Sequence, residues 1–156
     1  ENLIVVQTFS KARSMAGMRI GYAISNPTLI KYLNDAKYSF NSYTMNMTSL
    51  VCGVEAVKDK AYFEETVQKI KDTREWTKKE LTKLGFTYPD SQSNFIFATH
   101  EKYGAKDLFE ALKEADIYVR FLSGERIRNY LRISIGTMEE MERLIAFLTE
   151  YMRNHE

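Results

Sequence analysis

The first sixty residues contain short apolar runs separated by polar stretches that carry glycine. Leu3-Ile4-Val5-Val6 is a continuous apolar run, which is typical of strands buried on both faces, as in parallel sheets. A second short strand is predicted over residues 21–24. The rest of the chain scarcely supplies the neighbours that a buried strand needs. We therefore expect the sequence to begin in the middle of a protein, leaving apolar surface at 3–6 that can pair with another copy.

Helical spacing dominates the next part of the chain. Asn26-Pro27 predicts a helix start, with Asn as the N-cap and Pro in the first turn. A loop over 40–43 precedes a second helix over 47–57. A long helix is predicted over 61–84, and Gly85 ends it. A helix of about 24 residues spans roughly 36 Å, which is long enough to connect two domains.

The remainder of the sequence predicts a small α/β unit. Strands are expected over 94–98, 117–119 and 130–135, with a helix over 105–115. The last helix starts with a capping box formed by Thr137 and Glu140. We predict a core built from Leu108, Leu112, Ile133, Ile135, Leu144 and Leu148. The chain would then divide into residues 1–60, a connecting helix over 61–85, and a carboxy-terminal domain over 86–156.

Composition excludes several classes of protein. The chain has 156 residues, 44% of them hydrophobic, and a net charge of +1, so nothing predicts a nucleic-acid partner. No apolar run approaches the roughly 20 residues of a membrane span. The one cysteine, Cys52, cannot form an intrachain disulfide and fits a reducing, cytoplasmic compartment. His100 and His155 lie far apart with no cysteine at ligand spacing, so we expect no metal site.

The densest chemical signal surrounds Lys11. Thr8 and Ser10 precede it and Arg19 follows, between two glycines. Burial after a strand would lower the pKa of Lys11, as a lysine that forms a Schiff base requires. Hydroxyls with a guanidinium suit a phosphate dianion. Alternatively, Lys11 is a solvated loop lysine and Arg19 a surface ion-pair partner. A serine–lysine hydrolase pair is a further alternative, although adjacent side chains rarely point the same way.

Four arginines lie close together near the carboxy terminus, with Glu125 as the one acid among them: Arg120, Arg126, Arg128 and Arg132. Such a patch suits a substrate that carries a phosphate or a carboxylate. The alternative is a solvated basic loop, which fits Arg126 and Arg128 better than Arg132, because Arg132 interrupts an apolar strand. Asn94 precedes a predicted strand, where it either contacts the substrate or cofactor or caps a turn.

Residues 8–22, Thr-Phe-Ser-Lys-Ala-Arg-Ser-Met-Ala-Gly-Met-Arg-Ile-Gly-Tyr, closely resemble the cofactor-lysine motif of fold-type-I pyridoxal-phosphate aminotransferases. Within that family they are most similar to the histidinol-phosphate aminotransferases, and segments 40–43, 93–95 and 130–137 agree in order and spacing. The resemblance implies the carboxy-terminal part of this α/β fold. That part comprises the edge of the large-domain sheet, a long interdomain helix and a small α/β domain.

The resemblance also implies roles for residues near the start of the chain. Lys11 would hold pyridoxal 5'-phosphate covalently and move a proton at the substrate Cα. Ser10 and Arg19 would bind the cofactor phosphate, with Thr8 as a third contact. The aspartate that pairs with the pyridine nitrogen belongs to the family's amino-terminal half, so the 156 residues alone would be inactive.

For the substrate, the resemblance implies that Arg132 pairs with an α-carboxylate and that Arg120 faces the phosphate of histidinol phosphate. The partners would be small amino and keto acids, a phosphorylated substrate, and a second copy in a homodimer. Two alternatives remain: another pyridoxal-phosphate enzyme of this fold, such as a phosphothreonine decarboxylase, and a non-catalytic binding module.

Overall fold

Two compact units make up the chain in the computed structural model, which describes residues 2–155. The first unit runs to Val67 and the second starts at Gln68, so the division falls within the longest helix. Both units contain strands together with helices. The α/β class predicted from the sequence is therefore confirmed.

The first unit is a strand pair followed by helices. Its elements are β1 (Ile4–Thr8), a short 3-10 helix (Ala16–Met18), β2 (Gly21–Ser25), α1 (Pro27–Phe40), α2 (Met47–Lys58) and the start of α3 (Lys60–Lys83). The α1 start is as predicted, because the Asn26 side chain accepts a hydrogen bond from the Leu29 amide at 3.0 Å. The loop begins one residue later than predicted, since Phe40 still belongs to α1.

Few neighbours surround β1, as expected. In residues 2–155, β1 pairs with β2 alone, and the pair is antiparallel. An antiparallel pair needs only the loop over 9–20, whereas a parallel pair needs a crossover connection. Leu3 is 71% exposed and Val6 is 74% exposed. The predicted apolar surface at 3–6 is therefore confirmed, whereas its pairing with another copy stays a prediction.

The second unit is a four-stranded antiparallel sheet with helices against one face. Its elements after α3 are β3 (Phe86–Thr87), β4 (Phe95–His100), α4 (Ala105–Glu114), β5 (Arg120–Phe121), β6 (Leu131–Ser134) and α5 (Met138–Asn154), and the sheet order is β3-β4-β6-β5. Ile135 from the predicted core is only partly buried. The other predicted core residues are at most 1% exposed: Leu108, Leu112, Ile133, Leu144 and Leu148.

The segment 117–119 was expected to be a strand, and that prediction is wrong. Asp116 adopts a left-handed conformation with φ of 56°, and the Ile117 amide donates to the Leu112 carbonyl at 2.9 Å. This geometry is a Schellman-type ending of α4, so Ile117 is committed to closing the helix. The strand begins at Arg120 instead, and the short strand β3 was not predicted at all.

Residues close in sequence set the end of α3 and the start of α5. Gly85 has φ of +84° after α3, in the left-handed region that glycine tolerates best. At α5, the Thr137 hydroxyl accepts from the Glu140 amide at 3.2 Å and the Glu140 carboxylate accepts from the Thr137 amide at 2.7 Å. The predicted capping box is confirmed.

Candidate functional site

The residues around Lys11 occupy the loop between β1 and β2, which we call the lysine turn (residues 9–20). The strand pairing ends with Thr8 opposite Gly21, and the Phe9 amide donates to the Ile20 carbonyl at 3.0 Å. An added Cβ at Gly21 would lie 3.2 Å from the Gln7 carbonyl oxygen, which is a tight contact. The hairpin therefore brings the two ends of the motif together.

Lys11 itself is exposed in this structure, so the expectation of a buried lysine is wrong for residues 2–155. Its carbonyl accepts from the Ser14 amide at 3.0 Å, which closes a tight turn, and Ser14 adopts a positive φ of 54°.

The two predicted hydroxyls lie beside each other. The Thr8 Oγ1 atom is 2.8 Å from the Ser10 Oγ atom and 3.3 Å from the Ile20 carbonyl oxygen. The Ser10 amide also donates to Thr8 Oγ1 at 3.1 Å. Because the Thr8 hydroxyl donates to Ser10 Oγ, the Ser10 hydroxyl proton is the one left to bind an anion oxygen at the end of the strand.

Arg19 returns the chain to the same end of the hairpin. It adopts a left-handed conformation with φ of 55°, and its Nη1 donates to the Ala16 carbonyl at 2.9 Å. Its side chain is exposed and forms no ion pair within residues 2–155. Gly17 lies in open space, with no heavy atom within 4 Å of an added Cβ. Most of the five donors of the guanidinium therefore remain available to an anion.

Two residues that sequence reasoning missed hold the lysine turn against the helices. The Ser49 hydroxyl, buried in α2, donates to the Met18 carbonyl at 2.6 Å. The Arg13 guanidinium donates to the carbonyl of Ala56, also in α2. Neither contact leaves a signal in the sequence, since each joins residues more than thirty positions apart.

In the second unit, Arg120 and Arg132 are direct cross-strand partners on β5 and β6. We call them the arginine pair. Partners in register point to the same face of a sheet, so the two guanidinium groups share one face. The Arg132 guanidinium carbon lies 5.5 Å from the centre of the Phe95 ring. Its Nε is buried without a hydrogen-bond partner in residues 2–155, which marks an unmet donor.

Aromatic side chains surround the arginine pair on the same face. Phe97 is the register partner of Arg132 on β4, and its ring stacks on Tyr130 with 4.5 Å between centres. The opposite face carries the buried residues Ile96 and Ile133, which pack into the core. The pair thus lies on the sheet face that points away from the core.

The remaining sequence candidates have different surroundings. Asn94 is half-buried, and its carbonyl accepts from the Ile135 amide at 2.9 Å, so its backbone extends the pairing of β4 with β6. Arg126 and Arg128 are exposed in the turn between β5 and β6. Within the described residues, the structure gives neither arginine a bonding partner.

A separate polar cluster fixes the segment that leads into β4. Arg74 is buried and donates to the Ser93 carbonyl at 3.1 Å. A hydrogen bond from Arg74 lowers the pKa of Glu75, and mutual hydrogen bonding raises the pKa of Lys78 and lowers that of Asp90. The charges of this cluster are already in ion pairs with one another, so the cluster belongs to the scaffold.

Within the described part of the chain, no helix is long and apolar enough to cross a membrane. Residues 2–155 also contain no group of three or more His, Cys, Asp or Glu side chains placed to hold a metal ion.

The class of protein is characterised by its α/β fold, a lysine turn flanked by hydroxyls, and an arginine pair that faces away from the core. Residues 1–148 match the profile of the family described as aminotransferase class I and II, and the chain belongs to this family. It is 50% identical over 154 residues to the histidinol-phosphate aminotransferase of Brachyspira hyodysenteriae, covering 99% of this chain and 44% of that protein. It is 49% identical over 156 residues to the Lactococcus lactis protein of the same name, covering 100% of this chain and 44% of that protein.

Solved structures agree with this assignment. The histidinol-phosphate aminotransferase of Sinorhizobium meliloti, in complex with pyridoxal-5'-phosphate, superposes with a TM-score of 0.83 at 27% identity, over 99% of this chain and 42% of that one. The Clostridium acetobutylicum enzyme of that name has a TM-score of 0.87 at 24% identity, over 97% and 46%, and so supports the fold. The chain thus spans less than half the length of the relatives it matches.

Proposed function

We propose that the full-length protein is a pyridoxal-phosphate aminotransferase that exchanges an amino group between histidinol phosphate and 2-oxoglutarate or glutamate, in histidine biosynthesis. The observation that carries this proposal is the 50% identity, over 99% of the chain, to a protein named for that activity. The matched region, 154 of 156 residues, includes both the lysine turn and the arginine pair. As in the family, we propose that the enzyme is a cytoplasmic homodimer.

The lysine turn fits the cofactor. When bound, pyridoxal phosphate supplies a reactive aldehyde and a conjugated ring that withdraws electrons from the substrate Cα. We propose that the Lys11 Nζ holds the cofactor covalently and moves the proton at the substrate Cα. The adjoining Thr8 and Ser10 hydroxyls, 2.8 Å apart, and the unpaired Arg19 guanidinium would bind the phosphate. Charge-assisted hydrogen bonds of this kind are the strong ones.

The arginine pair fits the substrate anions. The unmet, buried Nε of Arg132 supports a carboxylate contact, because a guanidinium edge pairs with a carboxylate through two parallel bonds. Arg120, exposed beside it, would bind the phosphate of the phosphorylated partner. Asn94, one residue before β4, would contribute a lesser contact to substrate or cofactor. One anion site can serve glutamate and a phosphorylated acceptor, since arginine pairs with both.

We also propose the domain roles that the family implies. Residues 1–60 would belong to the large cofactor-binding domain, 61–85 would be the connecting helix, and 86–156 would be the small carboxy-terminal domain. The length of α3 (Lys60–Lys83) supports a connecting helix, and the boundary between the two units falls inside this helix, after Val67.

Reductive trapping tests the cofactor assignment. Full-length protein loaded with pyridoxal phosphate and treated with borohydride should carry the label on Lys11, and Lys11→Ala should abolish it. Lys58→Ala, at the exposed end of α2, is a matched control that should keep the label. A label on another lysine in the parent protein would refute the role of Lys11.

Half-reaction kinetics test the substrate assignment. Arg132→Lys should slow the glutamate half-reaction, and Arg120→Lys should slow turnover of histidinol phosphate more than that of glutamate. A charge-assisted hydrogen bond contributes about 1.5–3 kcal/mol, so we expect losses of about ten- to a hundred-fold in the specificity constant. Arg153→Lys, on the exposed end of α5, should behave as the parent. Release of CO2 without amino transfer would favour the decarboxylase alternative.

A further inference from the structure

Arg13 follows Lys11 by two residues and is the most tightly held charged group of the lysine turn. Its Nη1 donates to the Ala56 carbonyl in α2. Its guanidinium carbon lies 4.2 Å from the centre of the Phe63 ring and 5.2 Å from that of Phe9. Lys11 is exposed, whereas Arg13 is half-buried. The arginine therefore joins the turn to α2 and to the start of α3.

Phe9 anchors the other side of Lys11. Its side chain is 8% exposed, and its carbonyl accepts from the Met15 amide at 3.0 Å. Phe9 precedes Lys11 by two residues, just as Arg13 follows it by two. Because the Arg13 guanidinium also faces the Phe9 ring, the two flanking residues contact each other, and Arg13 joins them to α2 and α3.

The contacts of Arg13 depend on the shape of a guanidinium. Arg13 forms no ion pair in residues 2–155. Asp59 and Arg13 both line a small cavity of about 90 Å³, but the Asp59 carboxylate accepts a hydrogen bond from the Tyr62 amide at the start of α3. A flat cation can lie on a ring and donate in its own plane to a carbonyl at the same time, which a lysine ammonium does less well.

We propose that Arg13 is a positioning residue for Lys11: by clamping the turn to Ala56 and Phe63, it holds the lysine beside the Thr8 and Ser10 hydroxyls. The inference rests on the proposed function for its relevance to catalysis. The clamp itself is a property of the turn. Removing the clamp leaves Lys11 in the chain but lets the segment between Phe9 and Met15 open.

Amide hydrogen exchange in full-length, cofactor-free protein tests the clamp. The Ser14 amide donates to Lys11 and the Met15 amide donates to Phe9, so both report on closure of the turn. In Arg13→Met we expect exchange at these amides to rise by about ten-fold or more, since local opening governs exchange, while the β1–β2 ladder keeps its protection. Arg13→Lys should recover part of the protection.

A matched control removes the same kind of bond elsewhere. Arg143 donates to the Ala115 carbonyl at 2.7 Å in the second unit, so Arg143→Met also loses one arginine–carbonyl bond. This variant should leave exchange at Ser14 and Met15 unchanged. In loaded enzyme, Arg13→Met should also release pyridoxal phosphate about ten-fold faster than the parent, because a positioning contact contributes to holding the bound state.

The outcomes separate the clamp from the cofactor assignment. Unchanged exchange at Ser14 and Met15 in Arg13→Met overturns the proposal, as does an equal rise across β1 and β2, which is the signature of a general structural role. If Arg13→Met does not fold, Arg13→Lys and Phe63→Leu are compared with the parent, and faster exchange at the two amides in both is required. A parent protein that is not labelled at Lys11 overturns the proposed function, whereas the exchange result still decides the clamp.

Discussion

The direct opposition of Arg120 and Arg132 predicts that one substitution will raise stability and lower anion binding together. Cross-strand partners have Cβ atoms about 4.5–5.5 Å apart, and like charges in such positions are destabilising. No carboxylate within the described residues forms an ion pair with either arginine. Arg120→Gln removes one of the two charges at the exposed position, so we expect the folded chain to become more stable.

The size of the gain follows from the separation of the charges. Two unit charges about 6 Å apart repel by about 0.7 kcal/mol in a water-like dielectric. Solvent screening at the exposed Arg120 keeps the expected gain for Arg120→Gln in the range of about 0.2–1 kcal/mol. At about 1 M salt the Debye length falls to about 3 Å, so most of the gain should disappear.

Urea unfolding of the 156-residue chain at low and high salt measures this effect. Arg126→Gln, in the exposed turn outside the strand pairing, is the control and should change stability less than Arg120→Gln. Inorganic phosphate should stabilise the parent chain more than Arg120→Gln, because the proposed anion site has two arginines in the parent and one in the variant. The reasoning fails if Arg120→Gln lowers stability at low salt, or if phosphate stabilises both chains equally.

Three further predictions concern the scaffold. Thr137→Ala breaks the α5 capping box and should lower the free energy of unfolding by about 0.5–2 kcal/mol, whereas Thr137→Ser should retain most of it in urea titrations. Gly85→Ala forces a Cβ into a left-handed residue and should destabilise by about 1–2 kcal/mol or more in the same assay; a neutral effect would contradict the geometry. Lys78 forms ion pairs with Asp90 and Glu75, and both carboxylates have lowered pKa values. These pairs should stabilise the fold at pH values above the ordinary pKa values of 3.8 for Asp90 and 4.5 for Glu75, and the stabilisation should be lost as pH falls. Because the pKa of Lys78 is raised, its contribution to the free energy of unfolding is lost on the alkaline side only above pH 10.5. The free energy of unfolding of Lys78→Met should therefore differ from that of the parent at pH 7 and converge with it near pH 2. A difference that stays constant with pH would refute this assignment.

Local interactions are what the sequence by itself determined. The Asn26 and Thr137 caps and the helix ends near Gly85 were predicted correctly, because a cap joins residues three or four positions apart. The core of the second unit was also largely predictable, since its buried residues repeat with helical or alternating spacing. The lysine turn and the arginines stood out because polar residues interrupt apolar patterns there, and a family motif supported the same residues.

Contacts between distant positions were decided only by the tertiary structure. The pairing of β1 with β2, the exposure of Lys11 and the register of Arg120 with Arg132 depend on which strands meet, and a one-residue slip would turn every side chain to the other face. The Arg13 clamp joins residues 43 positions apart, which no local pattern can show. The segment 117–119 has strand-like residues, but the ending of α4 requires the Ile117 amide. Backbone hydrogen-bonding groups must be satisfied where the chain folds, and that demand outweighed the apolar pattern.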